Sequence, residues 1–99
     1  MAIISNDPYT LPHSFITIPS GIILALKENS VIINKTENGT FIFSAIFNIY
    51  SSLESYNKKM MYINIYNVNE ELTDKSVIGD MYDYAYQLVK KSFPNNVNI

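Results

Sequence analysis

The chain has 99 residues, 47% of them hydrophobic and 16% charged, which is a globular composition with room for one domain and not for two. A formal charge of -2, from 7 basic and 9 acidic residues, supplies no field to gather nucleic acid, so specific DNA or RNA binding is disfavoured. Zero cysteines exclude a disulfide framework and a thiolate metal site, leaving packing alone to hold the core.

Residues 1–19 carry Pro8, Pro12 and Pro19, whose fixed φ and missing amide hydrogen oppose both a helix interior and a central strand. This stretch is predicted to be an extended N-terminal arm, with a short edge strand from Phe15 to Ile18 closed by the turn signal Pro19-Ser20-Gly21. The first residues lack the basic flank and apolar core of a secretion signal, and no run approaches the ~20 apolar residues that span a bilayer. The expectation is a protein of the cytoplasm with no membrane partner.

A single domain is predicted over residues 20–94. Ile22–Leu26 is continuously apolar, Lys27-Glu28-Asn29-Ser30 interrupts it as a turn, and Val31–Thr36 resumes as a strand. Asn38-Gly39 supplies the two positive-φ positions of a type I′ hairpin, joining Val31–Thr36 to Thr40–Tyr50. That loop places Thr36 opposite Phe41, Asn34 opposite Phe43 and Ile32 opposite Ala45. On the longer strand the odd positions Phe41, Phe43, Ala45, Phe47 and Ile49 are all apolar and are assigned to the core.

Ser51–Lys59 is polar and reads as a connection. Met60–Val68 then alternates, with Met61, Ile63 and Ile65 assigned to the core and Tyr62, Asn64 and Tyr66 to a wetter face. Over Ser76–Ser92, at about 100° per residue, Ile78, Met81, Tyr82, Ala85, Leu88 and Val89 fall on one stripe, which predicts an amphipathic helix packed across the sheet. Thr73, Asp74 or Ser76 is suited to cap it, Phe93-Pro94 ends it, and Gly79 is the one residue that does not fit. Residues 95–99 are predicted to be a loose C-terminal tail. The fold class is therefore α+β: a small antiparallel meander of about four to five strands with one C-terminal amphipathic helix on one face.

No residue is nominated as catalytic, cofactor-binding or metal-binding, and no small-molecule substrate is expected. His13 is the single histidine, without the further ligands a metal site needs or a nucleophile to activate. Asp80 and Asp83 join Glu70, Glu71 and Asp74 in an acidic run, but carboxylates on a solvent stripe lack the contrasting environments that acid–base chemistry requires.

The 8 tyrosines and 5 phenylalanines are the composition's most unusual element. Phe41, Phe43, Phe47 and Tyr82 are explained as core, while Tyr62 and Tyr66 are placed on the wetter face of their strand with Tyr50, Tyr56, Tyr84 and Tyr86 at its margins. Tyr50, Tyr62 and Tyr66, together with Tyr9 and Leu11 of the arm, are candidate protein-interface residues, because tyrosine buries a large ring while its hydroxyl stays solvated. A second intramolecular packing layer is the competing reading of the same rings.

In outline the chain resembles small virion-associated proteins of tailed bacteriophages. Ser5-Asn6-Asp7-Pro8-Tyr9, Gly21-Ile22-Ile23, Tyr62-Ile63-Asn64-Ile65-Tyr66 and Met81–Leu88 carry the likeness. The resemblance implies a non-enzymatic structural part in a tail, baseplate or neck, made in the host cytoplasm and carried in the virion, with other virion proteins or further copies of itself as partners. The alternative is a small phage- or mobile-element-encoded inhibitor that blocks a host defence protein through its acidic helix face.

Overall fold

In the computed structural model, which describes residues 2–99, the elements run β1 (Ile3–Ser5), β2 (Tyr9–Thr10), β3 (Thr17–Ile18), β4 (Ile22–Leu26), β5 (Ile32–Lys35), β6 (Phe41–Tyr50), α1 (Leu53–Asn57), β7 (Asn64–Leu72), a 3-10 turn at Lys75–Val77, α2 (Met81–Ser92) and β8 (Asn96–Asn98). The protein is α+β, and every strand pairing is antiparallel. Six strands form the main sheet, while β2 and β3 make a separate hairpin.

β6 organises the sheet. Along one edge it pairs with β7, from Phe41 opposite Leu72 to Ile49 opposite Asn64. Its other edge is shared end to end, with β5 on Phe41–Ser44 and β4 on Phe47–Tyr50. Ser30 bridges the break between them: its hydroxyl accepts from the Ile46 N–H at 3.2 Å and lies 2.7 Å from the Lys27 carbonyl. The Lys27 N–H donates to the Ile46 carbonyl at 2.8 Å, so both backbone groups of Ile46 are satisfied where the ladder is interrupted.

The odd face of β6 is the core face, as its alternation predicts: Phe43, Ala45, Phe47 and Ile49 are buried. Ile3, Ile22 and Leu24 extend this face across the sheet, and α2 closes it with Ala85, Tyr86, Leu88 and Val89. Tyr84 and Tyr86 set their rings edge-on to Phe43 and Phe47, each at 5.0 Å between centroids, which suits the ring quadrupoles.

Several expectations are corrected. The hairpin after β5 places Ile33 opposite Phe43 and Lys35 opposite Phe41, one residue away from the type I′ register. Gly39 has a positive φ of 81° but Asn38 does not, and the Gly39 N–H bonds the Thr36 carbonyl, the geometry of a three-residue loop ending in a left-handed glycine. On β7 the parity is reversed: Tyr66, Val68 and Leu72 lie on the core face with Ala45 and Phe47, whereas Ile65 and Met61 are exposed. The strand also begins at Asn64 and runs to Leu72, beyond the Val68 limit of the alternating pattern.

α2 begins at Met81 because Gly79 stands in the left-handed region at φ 62° and Asp80 caps the helix, its carboxylate accepting from the Tyr82 and Asp83 amides. The buried stripe is rotated accordingly, with Tyr86 in the core and Tyr82 exposed. Ser51–Lys59 contains the short helix α1, capped by Ser52.

Of the predicted arm, residues 1–19, the described residues 2–19 do not stand apart from the domain, since β1 lies between β4 and β8 with Ala2, Ile3 and Ser5 buried, and residue 1 lies outside the described residues. Nor do residues 95–99 form a loose tail. β8 pairs with β1, Asp7 binds the Asn95 side chain at 2.6 Å, and the Ile99 N–H reaches the Ala2 carbonyl at 3.0 Å.

Replacing Ser30 with alanine leaves the Ile46 amide without its acceptor, and urea denaturation is expected to show a loss of about 1–3 kcal/mol. Tyr86 gives a pH signature. Burial pushes its phenol up from 10.0 and Tyr56 adds to the shift, against the Leu26 N–H that donates to its oxygen at 3.0 Å. The folded chain therefore holds this proton more tightly than the unfolded chain, so stability is full below about pH 10 and is lost as pH rises through the raised value. Denaturation midpoints between pH 7 and 11, ranges set by the ordinary tyrosine value of ~10, are expected to fall less steeply in Tyr86→Phe. Tyr84, also raised by burial and then by Glu70, contributes to the slope that remains.

Candidate interaction surface

Four of the five candidate interface residues meet at one end of the sheet, where β6 finishes and β7 begins. The Tyr9 hydroxyl accepts from the Asn64 side chain at 2.6 Å, which seats the β2–β3 hairpin against the start of β7. Leu11 lines an open cleft of about 240 Å³ there with Pro12, His13, Ile63 and Asn64. The Ile63 N–H bonds the Ile49 carbonyl at 2.7 Å, and one residue on, Tyr50 sets its ring edge-on to Tyr56 at 5.3 Å and to Tyr62 at 6.4 Å. Tyr50, Tyr56 and Met60 border a second cleft of about 360 Å³.

Tyr66 stands apart from this group. Its ring packs on Phe93 at 5.3 Å and its hydroxyl donates to Ser92 at 2.6 Å, joining β7 to the end of α2. Tyr9 and Tyr50 are half-buried, so the packing-layer reading holds in part for both.

Alternation missed the residues that project furthest. Phe15 is 90% exposed at the tip of the hairpin, next to the exposed Ile16, and Met61 is 82% exposed beside Met60. Phe15 has φ 57°, a left-handed conformation that costs a non-glycine residue roughly 1–2 kcal/mol. The hairpin imposes it: Thr10 and Thr17 share a hydroxyl hydrogen bond at 2.8 Å and the Leu11 N–H reaches the Ile16 carbonyl at 2.9 Å, leaving four residues to turn the chain. The sequence signal for this tip is the pair of prolines that brackets it, Pro12 and Pro19. For Met60 and Met61 it is the preceding Lys58-Lys59, which marks the segment as leaving the sheet.

The electrostatics are local. The Ser76 N–H, then its hydroxyl, hold the Asp74 carboxyl below its ordinary value. Asp80 is engaged at the start of α2, Glu71 accepts from the Thr40 hydroxyl at 3.1 Å, and Glu54 pairs with Lys58 at 2.7 Å on the surface. The acidic helix face therefore offers fewer free carboxylates than the sequence suggests, although Glu71, Asp74, Asp80 and Asp83 are all exposed. His13 is exposed on the hairpin, and among the described residues no group of three His, Cys, Asp or Glu side chains is placed to hold a metal ion.

No family model, no curated protein and no solved structure matches the chain. The functional reading accordingly rests on the surface just described.

Phe15→Gly separates presentation of the tip from stability. Relief of the left-handed strain, about 1–2 kcal/mol, outweighs the extra entropy glycine gains on unfolding, about 0.5–1 kcal/mol. Thermal denaturation is expected to show unchanged or slightly raised stability, and a marked loss would show that Phe15 supports the fold.

Proposed function

We propose that this chain is a non-enzymatic assembly protein acting through protein–protein contacts, and that the contacts centre on the apolar end formed by Phe15, Ile16, Met60, Met61 and Tyr62. The setting implied by the resemblance is a tailed-phage virion, in the tail, baseplate or neck, with other virion proteins and copies of the chain as partners.

The observation that carries this reading is Phe15, held nearly fully exposed in a backbone conformation that opposes it. Stability alone favours glycine or asparagine at such a position. A large apolar ring there returns free energy only when another surface covers it, and an aromatic anchor ringed by smaller contacts is the usual centre of a protein interface. The exposed Met60 and Met61 fit the same role, because their flexible thioethers adapt to irregular surfaces.

Sedimentation of the purified protein, alone and mixed with virion proteins, tests the proposal. Co-sedimentation is expected, and Phe15→Ser with Met61→Ser is expected to weaken it roughly tenfold or more while far-UV circular dichroism stays unchanged. A strict monomer that binds none of those proteins would end the reading.

A further inference from the structure

β7 is the longest free edge of the sheet. Its nine residues pair with β6 without a bulge, and among the described residues no strand pairs with its other side. The remaining edges are much shorter, three residues in β8 and four in β5. An exposed edge of this length, about 30 Å, is a template for another strand unless lysine, proline or a bulge blunts it. β7 contains no lysine, proline or glycine.

We infer that this edge takes a second copy of the same strand, in an antiparallel seam centred on Val68, and that the two sheets join into one across a two-fold axis. A two-fold axis normal to the sheet keeps both helices on the same side and makes facing residues symmetric about the centre. Centred on Val68, the seam sets Asn67 opposite the partner's Asn69 and Tyr66 opposite the partner's Glu70, and no carboxylate faces another. Centring on Glu70 or Glu71 would set a carboxylate against its own copy, which is unfavourable.

Charge supports the same register. Lys91 of α2 borders the groove of about 370 Å³ along this edge, beside Tyr66. The partner's Glu70, facing Tyr66, enters beside Lys91, and symmetry makes the contact twice. Asn67 and Asn69 are exposed, as a seam available for pairing requires.

The test is sedimentation equilibrium of the full chain and of Asn67→Lys/Asn69→Lys, which sets lysines against lysines across the seam. A dimer of twice the chain mass is expected for the parent, with a dissociation constant raised roughly tenfold or more in the variant. An equal mixture with Asn67→Asp/Asn69→Asp is expected to restore association. The Asn69 side chain accepts from the Ser44 hydroxyl at 2.7 Å, so if the double variant loses its far-UV signal Asn67→Lys alone serves, setting the two copies of the new charge diagonally across the seam with a smaller expected effect. A parent chain that stays monomeric at ~0.5 mM, far above a micromolar constant, overturns the inference, as does a dimer indifferent to these lysines. A monomer that still binds virion proteins refutes the seam and leaves the assembly reading standing, because that reading rests on Phe15 and Met61. Association lost with Phe15→Ser but not with the lysines refutes it in the same way.

Discussion

The structure depends on burying one face of β6. Phe43, Ala45, Phe47 and Ile49 are fully covered by α2 and the neighbouring strands. Each large side chain buried this way contributes about 1.5–3 kcal/mol, in a domain whose net stability is typically about 5–15 kcal/mol. The sheet is arranged around this requirement: β7 takes one whole edge of β6, and β4 and β5 must share the other because neither spans it. The shared edge leaves a gap at Ile46, and the Ser30 hydroxyl is the small part that prevents two backbone groups from being stranded there.

The same requirement explains why the ends of the chain are built in. A core of this size has no spare apolar surface, and Ala2 and Ile3 complete it on the far side of β4. β8 then covers the outer edge of β1, fastened by Asp7 to Asn95. Proline content argued for an arm, but the prolines fall at positions 8, 12 and 19, after β1 and around the β2–β3 hairpin, so they restrict the connections and leave the strand free to pair.

What the sequence made legible follows from how strongly each residue's period was fixed. The ten residues of β6 alternate with every odd position apolar, so that strand was readable with its face, and α2 repeats its stripe over three turns, so the helix was readable but its face only in part, with Met81 and Tyr82 exposed and Tyr86 buried. β7 was not, because Met61, Ile63 and Ile65 offer one apolar phase and Tyr66, Val68 and Leu72 the other, and only the pairing with β6 decides between them. Asn38-Gly39 favoured a two-residue loop. Thr36 and Thr40 select the longer one by joining their hydroxyls at 2.7 Å across its base. Gly79 marked the place where the helical pattern breaks, and its positive φ shows that the pattern before it belongs to a separate turn. α1, at five residues, is too short for any period to show.

The candidate interaction surface was legible in its less exposed members and hidden in its most exposed ones. Tyr9, Leu11, Tyr50 and Tyr62 could be picked because tyrosine and arm residues suit contacts, and the fold does gather them at one end. Phe15 and Met61 could not, since a pattern of alternation treats any apolar residue as a candidate for the core. Their exposure is informative for that reason. A small domain gains most by turning its largest apolar groups inward, and β2 and β3 instead hold a phenylalanine outward at the price of a left-handed backbone. Tyr9 stiffens the base of that hairpin through Asn64, so the tip is presented on a fixed support and loses little conformational entropy when covered. Under the assembly reading proposed above, a rigidly displayed apolar tip gains its energetic return from a second molecule and not from the fold.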